Sequence, residues 1–327
     1  MADLKTKIEN VLNETRILVL GIQILIGFGF RGFFEPGFDK MAPYARHVQL
    51  AALGLMLIGL GIMLVPVSYH RLVLRGRNTA ELHRLSTATV TTGLLPFTLA
   101  MGLSCFLGAH WVWGIVGASV FGGVVCLLTF VFWYGLEFVA ASRRRKSTRL
   151  YVLFDPLREA GMNQEQETDL STRIKQAFTE CRVVLPGAQA LLGFQLIIMW
   201  MTSFYSMSRS WKLLHLASLT SVAVCTILLI APAAYHRIVE QGEDSEMLHQ
   251  ITARALLASM VFLALGICGD FYVACRLTGV NMPLSLTISL LLLAFFYVAW
   301  FGFTLARKRR EQHRRLAPAT AGERKIA

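Results

Sequence analysis

The chain has 327 residues, 55% of them hydrophobic and 16% charged, and carries a formal net charge of +12. A soluble domain of this size has about 25% charged residues; here the charges gather at the termini, in a middle segment and in short loops, and the apolar runs between them exclude a pair of soluble domains. The basic excess suits membrane topology and contact with anionic lipid head groups, and no aromatic-basic signature accompanies it, so no nucleic-acid partner is expected.

In chain order, the first element is a short amphipathic stretch in which Leu4, Ile8, Val11 and Leu12 recur at helical spacing. This is the pattern of a helix lying on a membrane face or on a neighbouring bundle. Apolar runs follow at 17–34, 47–66, 85–107 and 112–139, near the length that crosses a hydrocarbon core of about 30 Å. The first run lacks a small-residue cleavage site and reads as a retained helix. Residues 140–167 form a basic, polar linker that includes Arg143-Arg144-Arg145-Lys146. A second amphipathic stretch, with Leu170, Ile174, Ala177 and Phe178, precedes runs at 183–203, 213–233, 254–275 and 283–306. The final segment, 307–327, is basic and then rich in Ala, Pro and Thr, and is expected to be a disordered tail. The fold class is an all-α integral membrane protein of eight transmembrane helices, in units 1–139 and 168–306.

A shift of 166 residues lays one unit on the other. Asp3, Leu4, Thr6 and Ile8 fall on Asp169, Leu170, Thr172 and Ile174, and Glu14 and Arg16 fall on Glu180 and Arg182. Gly21-x-Gln23 meets Gly187-x-Gln189, and Pro66-x-x-Tyr69-His70-Arg71 meets Pro232-x-x-Tyr235-His236-Arg237. By the fourth span the shift is 167, where Trp133-Tyr134-Gly135 meets Trp300-Phe301-Gly302. One register held across two spans and their loops identifies a tandem duplication.

Lys and Arg set the orientation. Of the 32, only Lys40, Arg46, Arg209, Lys212 and Arg276 fall in the alternate loops, and Arg31 lies inside the first span. The asymmetry predicts that both termini are cytoplasmic. Each unit has an even number of spans, so the copies are expected to insert the same way up, as parallel repeats about an axis along the membrane normal.

Two motifs carry a resemblance. The second half has Leu185-Pro186-Gly187-Ala188-Gln189 in its first span and Ala231-Pro232-Ala233-Ala234-Tyr235-His236-Arg237 at the end of its second. It resembles an uncharacterised family of small bacterial four-helix membrane proteins. The first half has drifted, with Leu20 in place of the proline and Val65 before Pro66. The resemblance covers both units but neither the linker nor the tail, and implies a multi-pass protein of the bacterial inner membrane. Some of those relatives carry a sodium/proton antiporter label. Such an exchanger keeps a carboxylate near mid-bilayer, and none stands in the central part of any span. Asp270 is about sixteen residues into the seventh run, opposite Ser104 in the repeat. Glu137 closes the fourth run, and Arg31 is expected to pair with Glu35 one helical turn on.

The polar groups common to both units lie toward the cytoplasm. Gln23 and Gln189 sit roughly 10 Å deep at 1.5 Å per residue, placed for an interhelical hydrogen bond or for lining a polar cavity. Gly76 and Gly242 read as helix ends, with Asn78 and Asp244 capping the next helix, so each unit has a tight hairpin. His70 and His83 stand about equally far from Gly76, and His236 and His249 from Gly242, which puts each pair at one height. Paired imidazoles can bind a metal, pass protons or hold an anion when protonated; a Tyr-His-Arg triplet can also simply anchor a helix end. Glu14 with Arg16, and Glu180 with Arg182, are expected to approach the histidines of their own unit, where a carboxylate favours a protonated ring.

The candidate polar, proton or ion site is therefore Glu14, Arg16, Gln23, Tyr69, His70, Arg71 and His83, with Glu180, Arg182, Gln189, Tyr235, His236, Arg237 and His249. The four histidines are also the candidate metal ligands. A hairpin separation of about 8–10 Å is too narrow for a haem between them. The six cysteines form no CxxC pair and read as packing residues. No HExxH, phosphate loop or nucleophile–base constellation occurs, so neither cofactor nor enzyme activity is expected. The expected partners are a bilayer with an anionic inner leaflet and a small ion or solute. The expected function is a transporter or channel-like module, the alternative being a non-transporting scaffold or a pH or lipid sensor acting through the linker and tail.

Overall fold

The computed structural model of the chain describes residues 4–77, 79–135, 170–199, 201–238, 240 and 244–316. The first unit opens with α1 (Leu4–Gly32), a 3-10 turn at Phe38–Lys40, α2 (Pro43–Met63) and α3 (Val65–Leu72). It continues as α4 (Ala80–Phe130) and a π-helical turn at Val131–Gly135. Gly114, at φ +64°, bends α4 into two spans, Ala80–His110 and Val112–Phe130. A positive φ with ψ at −169° is open essentially to glycine alone and costs a side-chain-bearing residue about 1–3 kcal/mol. The second unit contains α5 (Leu170–Ile198), the short α6 (Thr202–Ser206), α7 (Arg209–Ile238) and α8 (Glu246–Leu277). It ends with α9 (Met282–Tyr297), a π turn at Val298–Gly302 and α10 (Phe303–Leu316). Eight segments are long and apolar enough to cross a membrane, and no strand occurs among the described residues.

Local chemistry explains where these elements start and stop. Pro43 opens α2 at a position whose N–H needs no partner. Pro66 cannot donate back into α2, and the helix closes at Leu64, whose N–H bonds the carbonyl of Leu60 at 3.1 Å. The caps of α4 and α8 sit one residue after the expected ones. The hydroxyl of Thr79 accepts from the N–H of Leu82 at 3.2 Å, and that of Ser245 from Leu248 at 3.0 Å. Hydroxyl side chains reach the first-turn N–H groups well, and these two residues are themselves repeat counterparts. Asn78 and Gly242 lie outside the described residues, as do Glu137 and the linker. α10 runs on to Leu316, into the segment expected to be a tail, with Arg307 paired to Glu81 of α4 and lying over the Phe303 ring.

The copies meet along α1 and α5. Phe28 packs on its own repeat counterpart, Phe194, with ring centroids 4.6 Å apart. Nearer the helix starts, Gln23 fills the notch above Gly187, where any Cβ would collide with it. Nearer still, Leu12 and Asn13 share a pocket with Gln176, Thr179 and Arg182. One apolar core runs through both units, with Ile22, Leu57 and Leu60 from the first and Val184, Leu263 and Trp300 from the second. A second link is polar: the indole Nε1 of Trp300 donates to the carbonyl of Gly61 at 2.8 Å. That carbonyl belongs to the last turn of α2, where no intrahelical donor remains.

Candidate functional site

The last turn of α3 presents Tyr69, His70 and Arg71, all buried. Beyond it the chain reverses through two left-handed residues, Arg75 (φ +51°) and Gly76 (φ +80°). The Gly76 N–H returns to the carbonyl of His70 at 3.1 Å and fixes the turn. This turn directs both basic side chains at Glu180 of α5. His70 Nδ1 donates to Oε1 of Glu180 and Arg71 Nε donates to Oε2, so one carboxylate is clamped by two consecutive residues. All three side chains are 0–1% exposed. A buried carboxylate needs such charged donors to offset its lost hydration.

The network continues from Arg71. Its Nη1 donates to Nε2 of His249 on α8 at 3.2 Å. His249 Nδ1 faces Oε1 of Glu246 at 3.4 Å; hydrogen on Nδ1 serves this contact and the one to Arg71, and excludes a hydrogen bond from Arg173 to the same nitrogen. Arg173 of α5 lies 3.3 Å from the same ring nitrogen and 3.5 Å from Glu246 Oε2. Gly76 closes over this arrangement: a Cβ there would lie 3.2 Å from His249 Nε2.

The pairing differs from the expected one, because it forms between units and not within them. Equal height on a hairpin brings two rings to one level but does not by itself bring them to one face, and His70 is taken up by Glu180 of α5. His83 is only partly buried, and its ring joins no hydrogen bond or ion pair among the described residues. His236 is half-buried, 5.7 Å from the Phe178 ring, while His249 is taken up by Arg71. His70 and His249, one from each expected pair, are thus engaged by residues of the other copy, and no group of three or more metal-ligating side chains occurs among the described residues. Glu14 is exposed and Arg16 half-exposed, and Arg182 and Gln189 are exposed. Gln23, the counterpart of Gln189, is buried with neither amide atom hydrogen-bonded. Tyr235 is half-buried, and the side chain of Arg237 lies outside the described residues.

A second buried polar cluster was not anticipated. Asp270 of α8 accepts from Gln195 Nε2 at 2.6 Å, and its other oxygen lies 3.0 Å from Nδ1 of His215 on α7. His215 Nε2 is 3.0 Å from the main-chain carbonyl of Gln195. Repeat comparison passes over these residues because their counterparts in the first unit are Gly29, Gln49 and Ser104. The available signal was an ionisable group inside an apolar run, which is itself a functional pointer. The expected pair of Arg31 with Glu35 is present at 2.8 Å and partly exposed.

The sequence profile of a family of unknown function (DUF6328) matches residues 3–137 and again 164–304, and the chain belongs to that family as a tandem pair. No curated protein and no solved structure matches the chain.

Proposed function

We propose that this tandem member of the family is a multi-pass protein of a bacterial inner membrane, working as a transporter or channel-like module for a small ion or solute. Both termini are cytoplasmic in this reading, and the copies have the same orientation. The distribution of Lys and Arg supports the first point. The order of contacts along α1 and α5 supports the second: Leu12 shares a pocket with Thr179, Gln23 meets Gly187, and Phe28 meets Phe194, advancing together along both helices.

The observation that carries the reading is the clamp on Glu180. It joins the copies through one buried carboxylate and leaves further polar atoms unpartnered beside it, namely His70 Nε2 and Arg71 Nη2. Gln23, on the same seam, is also unsatisfied. Buried groups of this kind line ion and proton pathways in membrane proteins. Protonation of Glu180, or a solute that satisfies Arg71, would loosen the only charged tie described between α3 and α5 and let one copy rock against the other. No reaction is assigned. The basic residues of α10 suit an anionic inner leaflet.

Purified protein reconstituted in proteoliposomes is expected to give pH- or ion-dependent flux that Glu180→Gln lowers while the protein stays folded. Absence of flux across a panel of protons, alkali cations and small anions would refute transport and favour the scaffold or sensor. Flux unaltered by Glu180→Gln would remove the network from the pathway.

A further inference from the structure

We infer that His215 and Asp270 form a buried proton-binding site, specific to the second copy, whose hydrogen bonds are complete only when the pair carries its proton. The argument is one of donors and acceptors. A carbonyl only accepts, so His215 Nε2, 3.0 Å from the Gln195 carbonyl, must carry hydrogen. An ionised carboxylate also only accepts. The 3.0 Å contact between Nδ1 and Asp270 Oδ1 therefore needs a further proton, on the ring or on the acid. Imidazolium with carboxylate satisfies both contacts, and so does imidazole with carboxylic acid. These two forms hold the same number of protons and have no net charge. With one proton fewer, a neutral ring beside a carboxylate must face lone pair against lone pair or give up the Gln195 carbonyl.

The surroundings favour the complete form. Asp270 is 4% and His215 0% exposed. Phe204 and, from the first copy, Phe34 cover the imidazole at 5.6 and 6.0 Å. Four cations on the adjoining elements are held elsewhere, and Arg209, at the start of α7, is exposed. Lys212 of α7 donates to the carbonyl of Tyr205 at 2.8 Å, Arg276 of α8 to that of Val280 at 2.5 Å, and Arg46 of α2 to that of Asp39 at 2.7 Å. Arg31 of α1 pairs with Glu35. A deprotonated pair would thus be a desolvated negative charge with no cation among these to meet it.

The site is also distinct from the Glu180 network. Gln195 lies in the last turn of α5, fifteen residues beyond Glu180, which is about 22 Å at 1.5 Å per residue. There the helix carbonyls lack intrahelical donors, and His215 supplies one. Loss of the proton would release this end of α5 from α7.

The test uses the full chain in lipid nanodiscs with 15N-labelled histidine rings, read across pH by NMR, together with the infrared carbonyl band of a protonated carboxylic acid. His215→Gln, the residue of the first copy, assigns the ring signals. The expected wild-type result is His215 with two N–H groups, or with one N–H and an acid band, giving way in a single one-proton step as pH rises. That step is absent in Asp270→Asn and in His215→Gln. A wild-type His215 that has one N–H and no accompanying acid band at every pH at which the protein is folded would overturn the proposal, whether or not the variants fold. So would a one-proton step that persists in Asp270→Asn.

Discussion

In the first copy Pro66 ends α2 at Leu64, and the short helix beyond it turns His70 and Arg71 inward; in the second copy Pro232 stands inside an unbroken α7, and His236 lies half-buried against an aromatic ring. The acidic partners divide the other way. Glu14 of the first copy is exposed, while Glu180 of the second is sealed between copies. Each copy thus supplies the half of the clamp that the other leaves unused. A repeated motif specifies helices and turns, but the environment of its side chains is decided by what packs across the seam.

Removing the clamped carboxylate should have the largest effect. Glu180→Ala leaves Arg71 buried without its counter-charge and is expected to destabilise the protein by about 3–5 kcal/mol, read as the unfolding midpoint in detergent. Glu14→Ala should stay within about 0.5 kcal/mol; equal losses at the two positions would break the comparison. Next is the indole between copies. Trp300→Phe strands the Gly61 carbonyl and should cost about 1–3 kcal/mol. Its counterpart Trp133→Phe should cost less, because the stack on Phe97, at 5.5 Å, survives the change. Gly76→Ala should lose about 1–2 kcal/mol through the left-handed backbone alone and also press on His249; a neutral result would mean the turn is not as tight as described. The smallest effects should be matched ones. Thr79→Ala and Ser245→Ala each remove a cap worth about 1 kcal/mol, and unequal losses would show that the two hairpins differ even where their geometry agrees.

The spans and the duplication were legible because bilayer crossing and repeat register are properties of the chain taken in order. So was the recurrence of Tyr69-His70-Arg71 at Tyr235-His236-Arg237 and of Glu14 at Glu180. Their pairing was not legible. A repeat compared with itself says which residues correspond but not which residues meet, and the expectation of contacts within each unit followed from hairpin geometry alone. His215, Gln195 and Asp270 were hidden for the opposite reason: the first unit has Gln49, Gly29 and Ser104 in their places, so repeat register does not mark them. The caps shifted by one residue because Asn78 and Thr79, like Asp244 and Ser245, are adjacent good capping residues, and only the backbone distinguishes them.

The bond from Trp300 to Gly61 also bears on biosynthesis. Its two ends are 239 residues apart in the chain. At a synthesis rate of about 5–20 residues per second, the carbonyl at the end of α2 waits on the order of ten to fifty seconds for its donor. For more than half of that interval the first four spans are already made, yet they hold an unpaired polar group facing apolar surroundings. The first unit therefore completes its own packing only when the last span leaves the ribosome and docks against it. A chain stopped short of Trp300 would carry all of the first unit's sequence and still lack one of the contacts that finish it.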